Sequence, residues 1–258
     1  MTSHGVLTRI ASAVVCCDPL LWIPVSAQSN SSKASVSFRQ SHWIVKFKQR
    51  LYWYNPIYDS DYYGCNLDDP AIRSVGTISA SIINDFAPNS VIDVGCGSGA
   101  LLHALRSRGC AVLGLEYSEA ALRLCRGQDL PVLKFNLERD TLTDRRTFDV
   151  AVSMEVAEHL PARTADRYVQ LLTSLSSVVV FTAAPPGQGG RVGTDHINEQ
   201  PPFYWISKFN QRGFWHDEER SRNWSEKWKA EGDVALCYYH NLMIFHKAPY
   251  LDQTAQKP

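Results

Sequence analysis

From residue 68 onward, apolar runs and amphipathic segments alternate along the chain. Short apolar runs bounded by turn or charged residues are typical of buried strands. Segments with apolar residues three or four positions apart separate them and predict helices. The predicted strands are residues 90–94, 111–115, 132–135, 148–153 and 178–182. The predicted helices are residues 68–86, 100–108, 119–126, 162–175 and 203–212.

The carboxyl-terminal part of this series has a different character. Residues 234–247 are rich in Tyr, Ile and Phe and predict one long strand. The sequence Gly213-Phe214-Trp215 predicts its antiparallel partner. Trp224 and Trp228 are four positions apart, which predicts that both lie on one face of a helix. Strands separated by helices favour a parallel sheet, so the fold class is α/β with an antiparallel pair at its end.

Two segments precede this series. Residues 1–37 contain a moderately apolar stretch with the character of a signal peptide, but Pro19 and Pro24 interrupt it. The stretch is too short to span a bilayer, and we interpret residues 1–37 as a poorly ordered leader and linker. Residues 38–67 combine aromatic and basic side chains, which predicts either a helix docked on the domain or a lid over the substrate. The predicted main domain is residues 68–248, followed by a tail at 249–258.

Charge and cysteine content narrow the class of protein. The 258 residues include 26 Lys and Arg and 26 Asp and Glu, so no net positive charge attracts nucleic acid. The seven cysteines form no C-x-x-C pair, and three fall at predicted core or cofactor positions: Cys96, Cys110 and Cys125. This usage is typical of reduced, buried thiols rather than a disulfide framework. We therefore expect a cytoplasmic enzyme with no membrane span.

The most informative motif lies between the first predicted strand and the helix after it. Gly95, Gly97 and Gly99 occupy alternate positions there. Glycines let the backbone turn tightly and approach a ligand, and the following helix offers free N–H groups to its polar atoms. Glu116 follows nineteen residues after Gly97, at the end of the second strand, where a carboxylate accepts hydrogen bonds from ribose hydroxyls. The pattern predicts a nucleotide-like cofactor and by itself leaves a nicotinamide dinucleotide open.

The sequence Asp93-Val94-Gly95-Cys96-Gly97-Ser98-Gly99 resembles the first motif of the class I S-adenosylmethionine-dependent methyltransferases. The resemblance implies a Rossmann-like, seven-stranded mixed sheet with helices on both faces. It implies that Asp93 and the glycine loop face the amino-acid part of the cofactor, that Glu116 holds the ribose and that Tyr117 lies against the adenine. Asn136 would lie near the adenine amino group. The residues implied in binding S-adenosylmethionine are Asp93, Gly95, Cys96, Gly97, Gly99, Glu116, Tyr117, Asn136 and Met154.

A second motif follows the fourth predicted strand. Glu155 and Glu158 are three positions apart, so one helical turn would place both carboxylates on one face, with His159 beside them. Carboxylate and imidazole ligands suit Mg²⁺, Mn²⁺ or Zn²⁺. Together with His196, these residues resemble the metal site of the small-RNA 3′-terminal 2′-O-methyltransferases and, in part, the ubiquinone-biosynthesis O-methyltransferases. The resemblance implies that Glu155, Glu158, His159 and His196 bind one divalent cation, which would activate a hydroxyl of the acceptor.

Two other interpretations of this motif stay open. Glu158 and His159 would also suit the start of the helix predicted near Pro161. Without a metal, His159 or His196 would serve as the general base. We expect O-methylation of a small hydroxylated metabolite or of a sugar or glycan unit. The alternatives are methylation of an RNA end or of nitrogen, and a non-catalytic protein that binds S-adenosylmethionine.

Overall fold

The computed structural model of the chain describes Tyr63 and residues 69–143, 146–189 and 196–248. The predicted leader (1–37), all of the 38–67 segment except Tyr63, and the 249–258 tail lie outside the described residues.

Seven strands and seven α-helices make up the described residues. The strands are β1 (Ser90–Val94), β2 (Ala111–Glu116), β3 (Val132–Lys134), β4 (Val150–Met154), β5 (Val178–Thr182), β6 (Phe214–His216) and β7 (Met243–Lys247). The helices are α1 (Asp69–Phe86), α2 (Ala100–Arg106), α3 (Glu119–Gly127), α4 (Ala165–Leu175), α5 (Pro202–Asn210), α6 (Glu218–Glu231) and α7 (Leu236–His240). Two single 3₁₀ turns, Ala157–His159 and Ala162–Thr164, connect β4 to α4.

The strands form one mixed sheet in the order β3-β2-β1-β4-β5-β7-β6. The first five are parallel to one another, whereas β7 runs antiparallel to both β5 and β6. The strand order reverses between β1 and β4, the point at which open α/β sheets bind their ligands. The structure thus confirms the predicted fold, including the antiparallel pair at the carboxyl end.

Successive side chains of a strand point to opposite faces of the sheet, so these apolar strands expose apolar side chains on both faces. Helices cover each face. Ile92 and Phe181 belong to a core with residues of α4 and α5. Val91 and Val180, their neighbours in sequence, belong to a second core with residues of α1, α2 and α6. These two cores leave the ends of the parallel strands as the place for a site.

The tail differs from its prediction. Residues 234–247 do not form one strand: α7 occupies the first part, and β7 begins only at Met243. Strand propensity is decided by pairing, and only residues 243–247 pair with β5 and β6. His240, predicted in or near a strand, therefore ends a helix. Asn241 follows it and is buried.

Smaller differences concern boundaries. The predicted helix over 162–175 begins with a 3₁₀ turn before α4, and the predicted strand over 148–153 begins at Val150. Trp224 and Trp228 do pack on one face of α6, as predicted, with ring centroids 5.5 Å apart. The Trp228 indole N–H donates to Ser81 Oγ at 2.9 Å, which fixes α6 against α1.

Two further expectations concern the described part of the chain. Cys96, Cys110 and Cys125 are free, buried thiols, as predicted. Among the described helices, none has the length and apolar character that crossing a bilayer requires.

Candidate active site

The predicted site residues gather at one edge of the sheet. Parallel strands β1, β2, β4 and β5 all end at this edge, and each is followed by a loop that carries predicted or newly found site residues. The glycine loop follows β1 and Glu116 ends β2. The acidic and histidine motif follows β4. The edge is where this fold class places its ligands.

The loop after β1 requires glycine for two reasons. Gly95, Gly97 and Gly99 have φ values of +84°, +52° and +81°, which other residues adopt only with strain. Space is also restricted, since a Cβ on Gly99 would lie 2.6 Å from Leu130 Cδ1 and 2.8 Å from Cys125 Sγ. A Cβ on Gly97, by contrast, would have only the Tyr63 hydroxyl within 4 Å among the described residues, at 3.8 Å. The middle of the loop therefore presents open backbone to the site.

Glu116 is held in place by the backbone. Its Oε2 accepts a hydrogen bond from the N–H of Gly97 at 2.9 Å. Its Oε1 accepts from the N–H groups of Tyr117 and Ser118, each at 2.7 Å. A carboxylate has about four acceptor positions, so Glu116 keeps capacity for about one further donor, such as a ribose hydroxyl. The position predicted from its spacing is thus physically suited to a sugar.

Asp93 lies beneath the glycine loop and is 5% exposed. Burial, together with the neighbouring charge of Glu116, raises the pKa of Asp93 to about 7. A carboxyl in that state exchanges its proton near neutral pH, which is typical of groups at binding or catalytic sites.

The other predicted cofactor residues lie in the glycine loop or at the carboxyl ends of β2, β3 and β4. Asn136 is buried, and its Oδ1 accepts a hydrogen bond from the Glu138 N–H at 2.9 Å. Tyr117 is half-buried, with Lys134 Nζ 6.0 Å from its ring centroid. Met154 is half-buried at the end of β4. Cys96 is buried inside the loop.

The second motif brings three potential metal ligands together. One ligand atom from each of Glu158, His159 and His196 lies within 4.8 Å of the others. Glu158 and His159 belong to the 3₁₀ turn after β4, whereas His196 comes from beyond β5. The two imidazole rings pack edge to face with centroids 4.9 Å apart. Residues 37 positions apart therefore converge on one point.

Glu158 is the buried member of this group. Its side chain is fully buried, and neither carboxylate oxygen has a hydrogen-bond partner among the described residues. Burial and the nearby Glu155 carboxylate raise the pKa of Glu158 to about 8. No helix N–H accounts for this carboxylate, so the capping interpretation does not hold for its side chain. An orphaned carboxylate beside two imidazoles fits a divalent cation, which prefers such a donor set.

Glu155 does not belong to the group within 4.8 Å. It has a φ of +52° and precedes the 3₁₀ turn, so the predicted helical turn through Glu155 and Glu158 is wrong. Its Oε2 accepts from Gln188 Nε2 and its Oε1 accepts from Asn241 Nδ2, both at 3.0 Å. Asn241 Nδ2 also donates to Gln188 Oε1 at 2.9 Å. Glu155, Gln188 and Asn241 therefore close a polar ring next to the group.

Backbone hydrogen bonds fix His196 against the turn after β4. The N–H groups of Ile197 and Asn198 both donate to the carbonyl of Glu158, at 2.9 and 3.0 Å. The His196 ring then meets Glu199, whose Oε1 lies 2.8 Å from His196 Nδ1. Neither Glu199 nor the amides of Gln188 and Asn241 was predicted from the sequence. The position of Glu199, three residues after His196, could have suggested a contact between the two side chains.

A comparison with protein-family models matches residues 92–177 to a family described as a methyltransferase domain. Among curated proteins, the chain is 30% identical over 129 residues to the ubiquinone biosynthesis O-methyltransferase of Nitrosomonas europaea, covering 48% of this chain and 50% of that protein. It is 34% identical over 163 residues to that of Hahella chejuensis, covering 57% and 63%. The chain spans about half the length of the curated relatives it matches.

Among solved structures, the magnesium protoporphyrin IX methyltransferase of Synechocystis PCC 6803, solved with bound S-adenosylmethionine, is similar with a TM-score of 0.50. The identity is 15%, over 85% of this chain and 98% of that one, so this likeness concerns the fold. Residues 92–177 are therefore similar to a methyltransferase domain, and the described part of the chain shares the fold of that methyltransferase.

Proposed function

We propose that this protein transfers a methyl group from S-adenosylmethionine to a hydroxyl oxygen of a small hydroxylated metabolite or of a sugar or glycan unit. The observation that carries the proposal is the meeting, at one edge of the sheet, of a nucleotide-type glycine loop and an orphaned carboxylate flanked by two imidazoles. A bare cofactor-binding protein has no use for the second group. The similarity to ubiquinone biosynthesis O-methyltransferases supports O-methylation as the chemistry.

The chain's own residues would orient the methyl donor. When bound, S-adenosylmethionine supplies an electrophilic methyl group on a sulfonium. Open backbone at Gly97 admits the donor, and Glu116 accepts from its ribose. Asp93 and Asn136, both buried, offer oxygen atoms to the amino and adenine groups. Rigid placement of the donor matters because correct alignment of two reactants supplies much of the rate enhancement.

Glu158, His159 and His196 would hold one divalent ion, Mg²⁺, Mn²⁺ or Zn²⁺. When bound, the ion supplies a Lewis acid that lowers the pKa of an acceptor hydroxyl. Glu155 lies beside these residues and is kept in place by Gln188 and Asn241. If no ion is used, the same imidazoles are the groups that take the acceptor proton.

The acceptor class follows from charge and from the second group. Phosphate recognition depends on Lys and Arg, and the chain has equal numbers of basic and acidic residues, which favours an uncharged hydroxylated acceptor over an RNA end. A cytoplasmic location agrees with the use of a cytosolic methyl donor.

Two measurements test the proposal. Isothermal titration should give saturable binding of S-adenosylmethionine and none of NAD. Incubation with labelled S-adenosylmethionine and a panel of phenols, catechols and sugars, with and without chelator, should give an O-methylated product that chelator abolishes.

Glu158→Gln should abolish the metal-dependent rate, whereas the control Glu138→Gln changes a half-buried carboxylate that pairs with Arg163 and should not. Binding of NAD in place of S-adenosylmethionine would refute the proposal.

A further inference from the structure

Glu199 connects three donors that would otherwise be independent. Its Oε1 lies 2.8 Å from His196 Nδ1 and accepts the N–H of Gly189 at 2.5 Å. Its Oε2 accepts the N–H of Gly187 at 2.7 Å. The side chain is 18% exposed, so these bonds lie largely out of water. One carboxylate therefore joins a histidine of the active site to the loop after β5.

We propose that Glu199 is a positioning residue that fixes both the orientation and the tautomer of His196. A carboxylate accepts hydrogen bonds and donates none when ionised, so the His196 nitrogen that faces it must carry the proton. The proton on Nδ1 leaves Nε2 with its lone pair free. A histidine that acts as a metal ligand or as a base needs that lone pair. The inference rests on the proposed function only in giving His196 one of those roles.

The charge of Glu199 is suited to this task. Its oxygens accept the N–H bonds of Gly187 and Gly189 and face His196 Nδ1, so donors surround the carboxylate. The carboxylate is therefore maintained as an acceptor. A glutamine of the same shape would turn one acceptor into an NH₂ group, which would face an N–H donor on whichever side it points.

The same loop also reaches Glu155. Gln188, between the two glycines bound by Glu199, donates to Glu155 Oε2 at 3.0 Å. Residues 187–189 are thus bound by Glu199 on one side and by Glu155 on the other. Loss of Glu199 would release the loop as well as the imidazole, so its effect should exceed that of one lost surface hydrogen bond.

The first test uses the wild-type protein. Long-range ¹H–¹⁵N spectra, recorded without metal at alkaline pH where histidine side chains are neutral, report which nitrogen of His196 carries the proton. We expect the proton on Nδ1. Predominance of the Nε2–H tautomer would overturn the proposal, and this result requires neither a metal nor an acceptor.

The second test compares Glu199→Gln with the control Glu138→Gln. We expect Glu199→Gln to lose the Nδ1–H preference and to weaken Mn²⁺ binding by about 10- to 100-fold in calorimetry, with S-adenosylmethionine affinity changed less than about twofold. The control should match wild type in each measurement. Unchanged tautomer and unchanged Mn²⁺ affinity in Glu199→Gln would overturn the proposal.

The outcome can be separated from failure of the proposed function. If the wild type binds no Mn²⁺, the metal-dependent chemistry fails, while the tautomer of His196 in wild type and in Glu199→Gln still decides the role of Glu199. If Glu199→Gln does not fold, the wild-type spectrum alone decides it.

Discussion

Two glycines allow the cost of backbone strain to be separated from the cost of contact. Gly99 and Gly109 both have strongly positive φ, +81° and +92°. Among the described residues, a Cβ on Gly109 would meet nothing within 4 Å, whereas one on Gly99 would lie less than 3.0 Å from Leu130 and Cys125. Left-handed backbone costs an ordinary residue about 1–2 kcal/mol. Only at Gly99 is that cost joined by displacement of core atoms.

We therefore expect Gly109→Ala to lower the free energy of unfolding by about 1 kcal/mol and to leave S-adenosylmethionine affinity unchanged. Gly99→Ala should lower stability further and weaken binding of the donor at least tenfold, because the loop must shift. Urea unfolding and calorimetry measure the two effects. Equal losses of affinity in the two variants would show that the loop does not contact the donor.

Asp93 gives a pH dependence whose direction is fixed by its raised pKa. In the unfolded chain the pKa is near 3.8, and in the folded protein it is about 7. Below pH 3.8 the carboxyl is neutral in both states and its burial costs no ionisation energy. As the pH rises from 3.8 to about 7, the unfolded chain releases this proton while the folded protein keeps it, and above 7 the folded protein buries a charge. The free energy of unfolding therefore falls between pH 3.8 and about 7 and then levels off.

Asp93→Asn does not titrate, so its stability relative to wild type should rise between pH 4 and pH 7 and then level off. The difference between the two pKa values of Asp93 corresponds to a change in the free energy of unfolding of at most about 4 kcal/mol. Urea unfolding of both proteins at pH 5 and pH 8, without ligand, measures it. Asp166→Asn removes a carboxylate that is 66% exposed and controls for the loss of one charge. A difference between Asp93→Asn and wild type that stays constant from pH 5 to pH 8 would contradict the prediction.

At the scale of elements, the spacing of apolar residues was sufficient to predict the parallel strands and the helices that pack on them. Predicted and observed bounds agree at β1 and β5, and α1 ends at Phe86 as predicted, because Pro88 follows it. Prediction failed in the tail, where aromatic residues occur in both α7 and β7. Which of them pair is decided by β5 and β6, which are distant in sequence. Local propensity carries no information about that choice.

The candidate site likewise contains residues whose meeting could be predicted from local spacing and residues whose meeting could not. The glycine loop and Glu116 are local to one strand–helix–strand unit, so their spacing predicted their meeting. Glu158 and His196 meet because a loop after β5 folds back onto the turn after β4, and only the resemblance to known metal sites suggested it. Gln188 comes from the loop after β5 and Asn241 follows α7, and neither belongs to a motif. Their role required the three-dimensional structure.

At the scale of the whole molecule, the two halves of the site are built on different strands of one sheet. The donor loop belongs to β1 and β2, and the Glu158 group belongs to β4 and the segment beyond β5. The two halves meet where Val156, between Glu155 and Glu158, packs against Gly95, yet among the described residues no hydrogen bond joins Glu158 to the glycine loop. Ligands that bind separate groups of residues stabilise a protein by contributions that add when the groups do not interact.

This separation predicts that a substitution in one half of the site abolishes the response to one ligand and leaves the response to the other intact. Each ligand, at a hundred times its Kd, should raise the free energy of unfolding by about 2.7 kcal/mol and the Tm by several degrees. Glu158→Gln should lose the rise in Tm caused by Mn²⁺ and retain the rise caused by S-adenosylmethionine, whereas Gly99→Ala should do the reverse. Chelator added to the wild type reproduces the first pattern without a mutation. If either substitution removed both rises, the two halves would form one coupled site, since disruption of one group of residues would then disrupt the ligand contacts of the other.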